Sequence, residues 1–126
     1  MMPLGSGIDI VDIRRIDKIY AKHGQHFAKK LLHEFELAEL EDTNNAAAFI
    51  AKRFAVKEAT AKALGIGIGH LIAFTDIYVD HDDLGKPLLK FTQNCMQKLK
   101  LKDKHALLSI SDEKSYAVAH VLLFTQ

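Results

Sequence analysis

An α+β fold is predicted for this chain of 126 residues. Three observations predict it. Helical and strand patterns are mixed without the strict β-α-β rhythm of a parallel sheet. The last strand-like segments are joined by short turns, which only antiparallel neighbours can share. Residues 45–65, "NAAAFIAKRFAVKEATAKALG", are dominated by alanine, lysine and glutamate and read as one long helix. The expected architecture is a small antiparallel sheet packed against that central helix, with several short helices around it.

Composition allows one domain spanning residues 1–126. Apolar residues make up 48% and charged residues 26%, enough for a packed core. The formal net charge is +1 with seven histidines, too balanced for a general nucleic-acid or membrane-surface binder. Aromatic residues are sparse at 8%, which also argues against nucleic acid. Electrostatic recognition must therefore come from a local patch. The single cysteine, Cys95, leaves no intramolecular disulfide and no cysteine-based zinc site. It fits a reducing cytosol and reads as a structural thiol. The N-terminus lacks a basic segment followed by a long apolar core, and no apolar run approaches the length of a membrane span. The expected location is cytoplasmic.

In chain order, residues 4–12 read as a strand. Ile8, Ile10, Val11 and Ile13 suggest that it is buried, yet Asp9 sits among them. A carboxylate there is costly unless it is paired or binds a metal. From Ile13 the period becomes helical. Ile13, Ile16, Ile19, Tyr20 and His23 share one face, and Arg14, Arg15, Lys18 and Lys22 share another. Gly24 ends that helix. Residues 25–42 form two short helices, with Phe27, Leu31, Leu32, Phe35, Leu37 and Leu40 as core candidates. Thr43 or Asn44 caps the central helix, and Gly65 suits its left-handed C-terminal position. A glycine-rich loop, "GIGIGH", follows, then a strand "AFTDIYVD", a turn "HDDLGKP" and a returning strand "PLLKF". Residues 93–101 suggest a short helix. "ALLSIS" and "YAVAHVLLF" are two last strands joined by "DEKS".

Several groups could carry chemistry. Glu58 and Lys62 are spaced i, i+4 on the central helix, where an ordinary ion pair would contribute ~0.2–0.5 kcal/mol. Alanines and Phe54 flank them, which favours a role in a site. Arg53 and Lys57 point in another direction. Asp9 and Glu58 together offer two hard oxygen ligands, and Mg²⁺ takes one or two protein carboxylates beside water and substrate phosphate. Unpaired at 4 Å the two would repel by ~4 kcal/mol at an effective dielectric of 20. Gly65, Gly67 and Gly69 form neither a dinucleotide fingerprint nor a P-loop, but they would admit close approach of backbone to a ligand. The acidic turn fails as a calcium loop at Leu84 and Phe91, so it reads as a hairpin, with Lys86 and Pro87 open to a ligand role. His23 and His26 lack a third ligand nearby and read as solvated or packing residues. The basic stripe of Arg14, Arg15, Lys18 and Lys22 is either a solvated face or a docking site for an acidic partner. Its lack of acidic residues at i, i+4 favours docking.

The motifs "GIDIVDIRRI", "RFAVKEATAKALGIGIG", "DLGKP" and "SYAVAHVLL" occur in this order along nearly the whole chain. In them the chain resembles the short, bacterial holo-[acyl-carrier-protein] synthases of the 4'-phosphopantetheinyl transferase family. The resemblance implies that family's fold. It implies transfer of phosphopantetheine from coenzyme A to a serine of apo acyl carrier protein, with release of adenosine 3',5'-bisphosphate, in support of fatty acid biosynthesis. It implies Mg²⁺ on Asp9 and Glu58, Lys62 on the phosphates, and a homotrimer with sites at subunit interfaces. The general base stays open between Glu58 and a water that it orients. Arg53 is expected at the 3'-phosphate of coenzyme A. Gly65, Gly67, Lys86, Pro87 and Ser111 are further coenzyme contacts. Arg14, Arg15, Lys18 and Lys22 are expected to dock the acidic carrier protein.

Three positions depart from the family pattern. Ile66 stands where many members have threonine, and Leu107 and Asp112 where many have histidine. Ser109 and Ser111 keep their hydroxyls, and His105 is out of register with the missing histidines. These departures motivate the alternative of a non-catalytic module that binds coenzyme A or an acidic protein.

Overall fold

The computed structural model describes residues 1–125. The elements are β1 (Met2–Asp12), α1 (Ile13–His23), α2 (Gln25–Leu31), α3 (Glu34–Asp42), α4 (Ala46–Leu64), a 3-10 turn (Phe74–Asp76), β2 (Ile77–His81), β3 (Pro87–Phe91), α5 (Gln93–Lys98), β4 (Lys104–Asp112) and β5 (Tyr116–Thr125). The fold is α+β, as expected. The strands form two antiparallel sheets, one of three strands ordered β1-β5-β4 and one hairpin of β2 and β3. None of the described helices is long and apolar enough to cross a membrane.

Helix α4 lies across the inner face of the larger sheet, and small residues allow it. Ala51, Ala55 and Ala59 on the helix and Ala117 and Ala119 on β5 are fully buried. Gly5 and Gly7 of β1 go further, since a Cβ on Gly7 would collide with the carbonyl oxygen of Ala59, and one on Gly5 with that of Ala63. Strand and helix backbones therefore touch. Asn45 caps α4, its Oδ1 accepting from Ala48 N at 3.1 Å. The expected Thr43 instead supports the cap, accepting from Asn45 N at 3.3 Å. Gly65 closes the helix at φ 74°, a left-handed position that suits glycine.

Packing corrects several expectations. Ile8 and Ile10 are 60% and 63% exposed. Strand side chains alternate, and the helix covers the face of Gly7, Asp9 and Val11 instead. Phe35 is exposed and stacks with Tyr78 at 5.9 Å between centroids. His23 is also exposed. "AFTD" does not start a strand, because Asp76 Oδ2 accepts from Ala73 N at 2.9 Å and tightens a 3-10 turn. A smaller core of Ile72, Ile77, Cys95 and Leu101 lies under the hairpin. Burial there pushes the Cys95 thiol up to about 11, so it is an inert structural thiol at neutral pH.

Three charged side chains are buried together. Lys57 and Glu36 are fully buried, and Arg53 is 5% exposed. Lys57 Nζ donates to Glu36 Oε1 at 2.7 Å, to Leu31 O at 2.7 Å and to Phe74 O at 2.9 Å. Glu36 also accepts from His33 N at 3.1 Å and Val79 N at 3.2 Å. The cluster thus ties α4 to α2, α3, β2 and the 3-10 turn. Burial pulls the Lys57 ammonium below its ordinary pKa, and the Glu36 carboxylate opposes that shift.

Candidate active site

Asp9, Glu58 and Lys62 meet where β1 passes under α4. Asp9 points to the helix because it alternates with Ile8 and Ile10 on the strand. Glu58 and Lys62 lie one helical turn apart on the side of α4 that faces it. Lys62 Nζ donates to Ile8 O at 2.9 Å and to Asp9 Oδ1 at 3.2 Å. The side chain of Asp9 is 17% exposed and that of Lys62 55%. The site is therefore shielded on the strand side and open on the other.

Glu58 sits within the field of Asp9. Burial first, and the Asp9 charge second, hold its carboxyl above the ordinary range, against the opposing pull of Lys62. A carboxyl raised in the folded state adds stability below its unfolded pKa and loses that contribution as pH rises through its folded pKa. Glu58→Gln removes the charge. Its melting temperature should exceed that of the wild type at pH 7, and the difference should vanish near pH 4. Equal melting temperatures at pH 7 would show that the charge is not strained. Loss of activity in the same variant would mark a group kept for chemistry at the expense of stability.

The loop after α4 continues from this site. Gly65 ends the helix, and Gly69 at φ 109° donates to Ile72 O at 2.7 Å. Ile66 and Ile68 pack on the smaller core. A Cβ on Gly67 would meet nothing within 4 Å, and its φ is not left-handed. The fold itself does not require glycine there.

Other predicted residues stand elsewhere. Lys86 and Pro87 line a groove of about 420 Å³ with Lys90, Lys104, His105 and Phe124. His105 thus shares the surface of Lys86, which its register along the strand did not suggest. Ser111 is exposed on the outer face of the sheet, cross-strand from Val118, on the side away from α4. Asp112 stands 4.0 Å from Lys52 Nζ. Arg53 does not join Asp9 and Glu58. It is buried against the Phe49 ring at 4.6 Å, with Nε 3.5 Å from Glu36 Oε2 and Nη2 3.8 Å from Glu39 Oε2. Within the chain these two carboxylates are its ion-pair partners. A larger concavity of about 980 Å³, lined by His33, Tyr78, Phe91 and Met96 among others, includes none of the three site residues.

A sequence profile described as the 4'-phosphopantetheinyl transferase superfamily matches residues 5–121, which hold the whole of this site. The chain belongs to that superfamily. Within the superfamily, a holo-[acyl-carrier-protein] synthase of Shewanella frigidimarina is 45% identical over 98% of both chains. A solved holo-[acyl-carrier-protein] synthase from Neisseria meningitidis superposes with a TM-score of 0.91 and 37% identity, covering 99% of this chain and all of the other. Another, from Bacillus anthracis in complex with CoA (3',5'-ADP), has a TM-score of 0.85 and 38% identity over the full length of both. The transferase fold is thus shared from end to end, glycine loop included.

Proposed function

We propose that this chain transfers the 4'-phosphopantetheine group of coenzyme A to a serine hydroxyl of apo acyl carrier protein. The single observation that carries the reading is the meeting of Asp9, Glu58 and Lys62 inside the match to this superfamily over residues 5–121. In the reaction the serine oxygen forms a bond to the phosphorus that bears the pantetheine arm. The bond from that phosphorus to the bridging oxygen breaks, and adenosine 3',5'-bisphosphate leaves.

The donor set fits Mg²⁺. Asp9 and Glu58 are hard oxygen donors, the Asp9 charge helps to hold the Glu58 carboxyl above its ordinary range, and the open side leaves room for water and phosphate oxygens. Mg²⁺ held there would supply neutralisation of the pyrophosphate charge. Lys62 already lies on Asp9 and would turn its ammonium to the same phosphates. Glu58, with its raised carboxyl, would take the serine proton, directly or through a water that it orients. Gly65 and Gly67 open the backbone to the nucleotide. Lys86, with Pro87 beside it, would be a further phosphate contact, from a groove that it lines with Lys90 and Lys104 and that holds none of Asp9, Glu58 and Lys62. Arg14, Arg15, Lys18 and Lys22 of α1 form the docking face for the acidic carrier protein. The buried, unpaired Cys95 suits a cytoplasmic setting.

The outer face of the larger sheet supports self-association. Ile8, Ile10 and Leu107 are exposed on it at 60%, 63% and 48%. Such an apolar patch marks an interaction surface. A homotrimer through this face would explain why Ser111 lies on the far side of the sheet from Asp9.

One experiment tests the reading. The protein, coenzyme A, Mg²⁺ and apo acyl carrier protein are incubated, and the carrier is weighed by mass spectrometry. A gain of one phosphopantetheine is expected, and an unchanged carrier overturns the reading in favour of a binding module. Asp9→Ala and Glu58→Ala should each lower turnover by more than ~10³-fold, as expected when a group acts on the transferring phosphate. Native mass spectra of the same sample should show three chains together.

A further inference from the structure

Asp12 stands at the junction of β1 and α1 and does more than cap the helix. Its Oδ1 accepts from Arg14 N and from Arg14 Nε, each at 2.9 Å. Its Oδ2 accepts from Arg14 Nη2 at 2.9 Å. Nη2 also donates to the Tyr116 hydroxyl at 3.2 Å, and the guanidinium carbon is 5.6 Å from the centre of the Tyr116 ring. Tyr116 reaches Arg14 because Asp12 and Tyr116 are cross-strand partners in β1 and β5. Ile13 N donates to Ser115 O at 2.8 Å and holds the junction against the turn before β5. These bonds hold the carboxylate of Asp12 below its ordinary range.

Two of the three guanidinium nitrogens are thereby occupied. Nη1 has no acceptor among the described residues, and the side chain is 63% exposed. Arg15, Lys18 and Lys22 have no ion-pair partner among the described residues either, but nothing orients them. The basic stripe therefore holds two kinds of cation. Three are charges without an ion-pair partner among the described residues, suited to attracting a partner at a distance. One is a planar fork fixed in place, partly neutralised, with a free edge.

We propose that Asp12 and Tyr116 are positioning residues that present the Nη1 edge of Arg14, already ordered, to a carboxylate of the acidic acceptor protein. The proposal rests on the transferase reading above. Its benefit is geometric. Ordering a long cationic side chain at an interface costs conformational entropy, and a clamp removes that cost before the partner arrives.

Steady-state transfer from coenzyme A to apo acyl carrier protein tests it, with each substrate varied in turn. Tyr116→Phe keeps the ring and removes the hydroxyl. Asp12→Ser keeps a hydroxyl that can cap α1 but removes the two-pronged carboxylate. Each variant should raise KM for the carrier protein by ~2–10-fold, the range expected from freeing one side chain. KM for coenzyme A and kcat should stay at wild-type values. Arg14→Lys should raise KM for the carrier in the wild type and add nothing in the Asp12→Ser background. Unchanged KM for the carrier in both clamp variants overturns the proposal. So does a fall in kcat with a matching fall in melting temperature, which marks a merely structural role. A wild-type protein that transfers nothing overturns the transferase reading, and the clamp's role falls with it.

Discussion

Lys57→Met is expected to destabilise the fold by about 3–5 kcal/mol, the cost of breaking a buried pair by removing one partner. Domains of this size have total stabilities of roughly 5–15 kcal/mol, so the variant would lose a large share of its own. The reason lies with what stays behind. Glu36 is fully buried, and its Oε1 would lose the 2.7 Å contact to the Lys57 ammonium. The carbonyls of Leu31 and Phe74 would lose their donor as well. Arg53 offers partial relief only, since its Nε is 3.5 Å from Glu36 without hydrogen-bond geometry. Urea unfolding should show the midpoint falling with the slope unchanged. Adding Glu36→Gln should restore part of the loss, because the stranded charge disappears while an oxygen acceptor remains. A double variant no more stable than Lys57→Met alone would show that the lost carbonyl anchors dominate.

Gly7→Ala should damage both the fold and the chemistry. The added methyl would meet the Ala59 carbonyl, with Ala59 C and Ala63 N each at 2.8 Å. These are helix backbone atoms, so no side chain can rotate away. Helix α4 would have to lift from β1. Overpacking of this kind costs ~1–3 kcal/mol. The functional loss should be larger in proportion, because the same lift separates Glu58 and Lys62 from Asp9. A displacement of about 1 Å can cost ~10²-fold in rate. Circular dichroism should keep its helical signal while the melting temperature and kcat/KM both fall. Gly67→Ala is the control for stability, since its Cβ would meet nothing within 4 Å and its melting temperature should not move. Full activity in Gly7→Ala would show that strand and helix are not held as closely as they stand.

Much of this fold was legible in the chain. The alanine-rich segment, the glycine at its end and the "PLLKF" strand occur where local chemistry puts them. So does the amphipathic helix from Ile13, because capping, propensity and turn residues act over a few positions. Asp9 and Glu58 were legible as a candidate pair because a carboxylate in an apolar strand demands a partner. Less legible were residues whose meaning depends on distant neighbours. Arg53 and Lys57 were legible only as polar groups on another side of the central helix, and they belong to a buried cluster completed by Glu36 on α3. Tyr116 gave no sign of its contact with Arg14, because that contact spans 102 positions of sequence.

The sequence by itself determined most of the helices and strands, that one helix is long, and that Asp9 in an apolar strand needed a partner. Only the tertiary structure decided which face of β1 is covered. Period-two alternation puts Ile8 and Ile10 on one side and Gly7 and Asp9 on the other, but it does not say which side receives the helix. Hydrophobicity alone favoured the isoleucines. Steric fit chose the face of the glycines, since the missing side chains at Gly5 and Gly7 let α4 come down onto the strand there, and that approach brings Asp9 under Glu58 and Lys62.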